Sequence, residues 1–262
     1  MAALLDPGTL RVVEILGCRV HDVTMAEAID WCDRRVAARR LTRIVTPNAE
    51  ILAAAARHRG FRSLLNGSEL AIPDGRGLLV AARLLGQRLR DQVTGTDLCV
   101  ELARCAASRG YRVFLLGGRG GVAERAGRRL SVMFPGLAIA GSYEGEARAH
   151  GDTGVLAALR DATPIDMVFV AFGAGRQEAW LHRNLARAGI TLGIGCGGAL
   201  DFIAGDITRA PAWVRAAGFD WLFRLIRQPW RWRRQLALPV FAAMVIASAL
   251  DRRYSAIPAR AE

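Results

Sequence analysis

A chain of 262 residues, 52% of them hydrophobic, can close an α/β core without disulfide or metal staples. Its net charge is +12 with no lysine, but the Ala, Arg and Gly richness marks a compositional bias, so the charge alone does not argue for nucleic-acid binding. Five scattered cysteines without a CxxC pair exclude a disulfide framework, four histidines without ligand spacing argue against a zinc site, and no secretory leader is expected at the N-terminus.

Strands and helices alternate along the chain. Residues 11–16 read as a strand and 24–38 as an amphipathic helix. A strand over 42–45 ends at Thr46-Pro47-Asn48, followed by an Ala-rich helix over 49–58. A strand over 69–72 ends at Pro73-Asp74-Gly75, followed by helices over 77–85 and 96–109, with Thr96 as the cap. A second series begins with a strand over 112–116, the loop Gly117-Gly118-Arg119-Gly120-Gly121 and a helix over 122–134. Strands over 137–140, 165–171 and 190–194 follow, with a helix over 177–188 before the last. This spacing predicts an α/β fold with a Rossmann-like parallel sheet in two closely packed lobes, about 1–109 and 110–208.

Beyond residue 208 the composition changes. Residues 209–234 carry seven arginines against one aspartate and four of the six tryptophans, and an apolar run over 236–250 follows. Arg224, Arg227, Arg231 and Arg234 recur at helical spacing, with Pro229 breaking or restarting the helix. Trp and Arg together suit a membrane interface, so residues 209–262 are expected to form a helical, membrane-associating appendage. The apolar run is interrupted by Pro239 and, at 15 residues, falls short of the roughly 20 a bilayer span needs.

In a parallel sheet, ligands bind beyond the carboxyl ends of the strands. Thr46, Asn48 and Asp74 would meet there, with Asp74 available to take a proton from a hydroxyl. A plain turn at Asp74-Gly75 and a plain helix cap at Asn48 explain the same residues, and spacing alone leaves both readings open. The loop through Gly117 and Gly118 suits either a phosphate or a tight turn. Arg176 and Gln177 could bond a sugar or diphosphate, whereas Glu178 could simply favour the helix dipole. Gly193-x-Gly195-x-x-Gly198 matches a dinucleotide pattern by letter, but it follows the last strand rather than the first. No Asp-x-Asp motif occurs, so no metal or cofactor is expected, and diphosphate charge would fall to arginines and backbone donors.

Taken together, the segments Thr46-Pro47-Asn48-Ala49-Glu50, Pro73-Asp74-Gly75, Thr94-Gly95-Thr96-Asp97-Leu98, Phe114-Leu115-Leu116-Gly117-Gly118, Phe172-Gly173 through Gln177-Glu178, Gly197-Gly198-Ala199-Leu200-Asp201-Phe202-Ile203-Ala204-Gly205 and Arg209-Ala210-Pro211 resemble the WecG/TagA/CpsF family of glycosyltransferases (family 26). The likeness runs over residues 15–234. It implies a metal-independent, inverting transferase that moves a sugar from a UDP-sugar donor to a prenyl-diphosphate-linked sugar acceptor. N-acetylmannosamine, its uronic acid and glucose all stay open as the sugar. By resemblance, Asp74 is the base, with Thr46 and Gln177 beside it. Asn48, Thr94, Gly95, Asp97, Gly117, Gly118, Arg176, Glu178, Gly198, Asp201, Arg209, Arg215, Arg224 and Arg227 are expected to bind substrate. The expected partners are an anionic membrane surface at the inner face of the cell membrane and no nucleic acid; a homo-oligomer stays open. Two stretches depart from the family pattern: Gln92 stands where an Arg is usual, and Ala174-Gly175-Arg176 replaces a Pro-containing stretch. A nucleotide-dependent oxidoreductase and a basic nucleic-acid-binding protein are the rival readings.

Overall fold

The computed structural model describes residues 10–211, 213, 214, 220–229 and 232–255, and the first of its elements is a hairpin. Strands β1 (Val12–Ile15) and β2 (Cys18–His21) pair antiparallel around Leu16 and Gly17, both at positive φ (52° and 77°). Two such residues give a turn whose twist matches that of the strands. Sequence periodicity marked only the first of these strands.

The main elements then run in order: α1 (Met25–Ala37), β3 (Thr42–Val45), α2 (Ala49–Arg57), α3 (Arg59–Asn66), β4 (Leu70–Ala71), α4 (Arg76–Leu84) and α5 (Gly95–Arg109). They continue with β5 (Arg112–Gly117), α6 (Val122–Met133), β6 (Ala138–Tyr143), α7 (Asp152–Asp161), β7 (Met167–Ala171), α8 (Arg176–Asn184), β8 (Leu192–Gly195) and α9 (Ala199–Ala204). Helices α3, α7 and α9 had no counterpart in the sequence reading. The cap of α5 is Thr94, not Thr96: its Oγ1 accepts the Asp97 N–H at 3.2 Å.

Six strands form one parallel sheet in the order β4-β3-β8-β7-β5-β6. The strands of residues 1–109 and 110–208 join in this sheet where β3 pairs with β8. Side chains alternate between the faces, as a period of two demands. Ile44, Val113, Leu115, Phe169 and Ile194 pack under α1, α5, α6 and α9. Val45 packs with α2 and α4, and Phe114, Leu116, Val168 and Val170 with α7 and α8. Both faces are therefore covered, and the Rossmann-like α/β reading holds.

The C-terminal segment forms α10 (Asp220–Arg227), α11 (Trp232–Gln235) and α12 (Ala237–Ser255). Pro239 does not interrupt α12, because it sits in the first turn, where no backbone donor is needed. The stretch Trp232–Asp251 is 20 residues long, and 18 consecutive residues within it average a hydropathy of 1.3, long and apolar enough to cross a membrane by length and composition. Only 11% of it is buried. Phe241 and Val245, one turn apart, pack into the cluster formed by α2 and α4. The apolar run expected to be too short is therefore a long helix with one stripe docked on the core.

Buried His21 ties the hairpin to the main sheet, its Nδ1 accepting the Ala71 N–H at 2.9 Å. Burial, then the charge of Arg19, lowers its pKa from 6.5 to about 4. The unfolded chain takes up the proton first as pH falls, so this contribution is complete above pH 6.5 and is lost between 6.5 and 4. Denaturant titrations should show stability falling by up to about 3 kcal/mol across that window. His21→Asn keeps an acceptor but cannot titrate, and should flatten the slope; an unchanged slope would contradict the assignment.

Candidate active site

A cleft of about 1930 Å³ opens at the carboxyl ends of the strands. Thr46 follows β3, Asp74 follows β4, Gly118 follows β5, the segment from Phe172 to Gln177 follows β7, and Cys196 to Gly198 follow β8; all of these positions contribute to its lining except Gly175.

Thr46 is buried, and its hydroxyl donates to Gly195 O at 3.1 Å, which extends the β3–β8 seam beyond the ladder. Asn48 caps α2, accepting the Ile51 N–H at 3.0 Å, while also lining the cleft. Asp74 donates its own N–H to Pro47 O (3.0 Å), and its Oδ2 accepts the Gly95 N–H (3.3 Å). A carboxylate at the first residue of a helix faces the positive end of the helix dipole. A Cβ at Gly95 would crowd Thr46 Cγ2 at 3.0 Å, while its 3.5 Å to Asp74 Oδ2 would be an ordinary contact, so the glycine serves the packing of α5 against Thr46. Thr46, Asp74 and the start of α5 therefore meet at one point.

Arg209 joins the appendage to that point. It grips Asp97 with both arms, at 2.5 and 2.7 Å, and Thr94 Oγ1 donates to Asp97 Oδ2 at 2.7 Å. The hydrogen bonds to Asp97 raise the Arg209 pKa further, so the guanidinium stays charged.

Gln177 is buried beneath the cleft floor. Its Oε1 accepts the Gly197 N–H at 2.9 Å and its Nε2 donates to Glu178 Oε1 at 3.0 Å. Gly195 makes room for it: a Cβ there would lie 2.9 Å from Gln177 Nε2. Gly193 likewise accommodates Leu181 and Leu185 of α8, at 2.4 and 2.8 Å. These two glycines serve the packing of α8 on β8, so their place in the sequence pattern has a structural explanation.

Some expected binders play other parts. Glu178 is fully buried and does not line the cleft; it accepts the Gly175 N–H at 2.6 Å and closes the first turn of α8. Burial pushes its pKa up. Gly117 does not line the cleft either: at φ 97°, its missing Cβ would lie 2.7 Å from the Ala171 carbonyl carbon, so it lets β5 approach β7. Gly118, Arg176, Gly198 and Asp201 do line the cleft. Arg227 is exposed, with its guanidinium 5.6 Å from the Phe223 ring, and lies outside the cleft lining. Arg215 and the side chain of Arg224 lie outside the described residues.

Other cleft residues escaped the sequence reading. Arg76, Arg119 and Arg148 expose guanidinium groups there, interleaved with Glu144 and Glu146. Arg234 lines the cleft from α11, bonded to Glu50 at 2.8 Å. Its helical spacing with Arg224, Arg227 and Arg231 had marked it for the appendage rather than for the cleft. Gln92 also faces the cleft, and Arg90 does not replace the missing Arg because it binds Asp22 and Glu27. Among the described residues, no group of three or more His, Cys, Asp or Glu side chains is placed to hold a metal ion.

Residues 13–255 match the model of the "Glycosyl transferase WecG/TagA/CpsF family". The chain is 32% identical over 226 residues to a protein of Bacillus subtilis (strain 168), covering 86% of this chain and 87% of that protein. A Bacillus spizizenii relative is 32% identical over 203 residues, 78% of each chain. A Staphylococcus aureus (strain MW2) relative is 29% identical over 233 residues, 87% of this chain and 90% of the relative. All three relatives are named N-acetylglucosaminyldiphosphoundecaprenol N-acetyl-beta-D-mannosaminyltransferase.

Proposed function

Because the chain belongs to the WecG/TagA/CpsF family of glycosyltransferases, we propose that it transfers N-acetylmannosamine from its UDP-sugar to an N-acetylglucosaminyl-diphosphoprenol acceptor. The observation that carries this reading is the meeting of Asp74, Thr46 and the start of α5 in one cleft that the appendage helps to line. Asp74 accepts the proton of the acceptor hydroxyl as that oxygen attacks the anomeric carbon. UDP leaves from the opposite face, so an α-linked donor yields a β-linked product. General-base help of this kind is worth about 10²–10⁴ in rate.

UDP is a stable leaving group that needs charge compensation more than protonation. Guanidinium groups supply that compensation as charge-assisted donors. Arg76, Arg119, Arg148 and Arg176 are the exposed candidates in the lining. Residues 1–208 act as the catalytic core and 209–262 as the membrane-associating appendage, with the enzyme peripheral at the inner face of the membrane. The exposed Trp221, Trp232, Ile246 and Leu250 support that placement.

Mass detection of product from UDP-N-acetylmannosamine and a synthetic N-acetylglucosaminyl-diphosphoprenol tests the transfer. Asp74→Asn should retain the fold and the donor affinity while turnover falls at least about a hundredfold. Turnover near that of the unaltered protein would remove Asp74 from the role. In vesicle flotation at low salt, the full chain should rise with phosphatidylglycerol vesicles and stay behind with neutral ones. Recovery in the bottom fraction with both would contradict the membrane placement.

A further inference from the structure

The cleft lining combines charged groups with two apolar helix faces. Helix α4 starts two residues beyond Asp74, and Gly77, Val80, Ala81 and Leu84 line the cleft from one of its faces. Leu238, Ala242 and Ile246 face into the same space from α12, which packs on α2 and also meets α4. The spacings of three and four residues make each set a single helical stripe. Phe241 and Val245, buried in the shared cluster, form the floor between them. The walls are left open: Val80 is 54% exposed, Leu84 48% and Ile246 52%. At 1.5 Å per residue, the α4 wall from Gly77 to Leu84 runs for about 10 Å.

We propose that this trough between α4 and α12 holds the first isoprenoid units of the acceptor's lipid. The proposal rests on the glycosyltransferase reading above and adds a subsite to it. The order of chemistry along the chain carries the proposal. Asp74 precedes α4, Arg76 opens it and its apolar stripe follows; on the other wall Arg234 of α11 precedes the stripe of α12. A saccharide joined through a diphosphate to a prenyl chain presents hydroxyl, anion and hydrocarbon in the same order. A phospholipid has the anion and the hydrocarbon but no acceptor sugar to reach Asp74. Large apolar residues left open beside a catalytic cleft mark a surface that expects cover.

The test uses the full chain in detergent-free solution with two soluble acceptors, N-acetylglucosaminyl diphosphate carrying a methyl or a farnesyl tail. Calorimetry reads binding and mass detection reads transfer. The farnesyl acceptor should bind more than tenfold tighter than the methyl one. Val80→Asp and Ile246→Asp, both at exposed positions that tolerate a carboxylate, should each remove most of that gain and change methyl-acceptor affinity less than twofold. Equal affinity for the two tails, or a gain that survives both substitutions, would overturn the proposal. So would displacement of the farnesyl acceptor by dihexanoyl phosphatidylglycerol at comparable concentration, which would make the trough a general lipid site. Tail-dependent binding without sugar transfer would leave the trough standing and sink the transferase reading. Transfer without tail dependence would do the reverse.

Discussion

The pairing of β3 with β8 is the constraint on which the cleft depends. It joins two stretches of chain about 150 residues apart, setting Thr42 against Leu192 and Ile44 against Ile194. Past the end of the ladder, the Thr46 hydroxyl holds Gly195 O and prolongs the seam into the loops. Thr46 and Asp74 from the first half of the chain thereby stand beside Gln177 and Gly197 from the second. Because the strands run parallel, their carboxyl ends leave the sheet on one side, and the loops that carry chemistry meet without long excursions. Gly193 and Gly195 are the local condition for this seam, since only a strand without those side chains admits Leu181, Leu185 and Gln177 against its face.

Much of the fold was legible because buried parallel strands are short apolar runs with clear boundaries. Runs such as 112–116 and 165–171 can hardly be anything else between helical stretches. The losses have separate causes. β2 has four residues with Arg19 and His21 among them, and its identity comes from pairing with β1 rather than from its own pattern. α3 spells Arg-Gly-Phe-Arg-Ser-Leu-Leu-Asn; its Phe61, Leu64 and Leu65 do share one face, but it is two turns long, lacks a side-chain cap and is separated from α2 by His58 alone, so no start signal set it apart. α12 was read as a broken run because Pro239 counts against a helix interior, whereas its harmless position in the first turn depends on where the helix starts.

The site divides along the same line. The family resemblance singled out Thr46, Asp74 and Gln177, and all three line the one cleft. Which partner each side chain takes was not legible. Glu178 and Gly117 carry motif letters yet serve the first turn of α8 and the β5–β7 approach. Asp97 and Arg209 pair across 112 positions. That bond is one of the ties between the basic appendage and residues 1–208: a bidentate grip beside Asp74, the Arg234–Glu50 pair, and one apolar stripe, Phe241 and Val245, on the outer helices.

Amide hydrogen exchange with and without UDP-N-acetylmannosamine tests most directly whether this seam carries the donor site. Slower exchange should concentrate at residues 46–48, 74–77, 94–97, 173–177 and 196–201, the loops at the carboxyl ends of the strands and the start of α5. Protection confined to other surfaces, or none at saturating donor, would contradict the account.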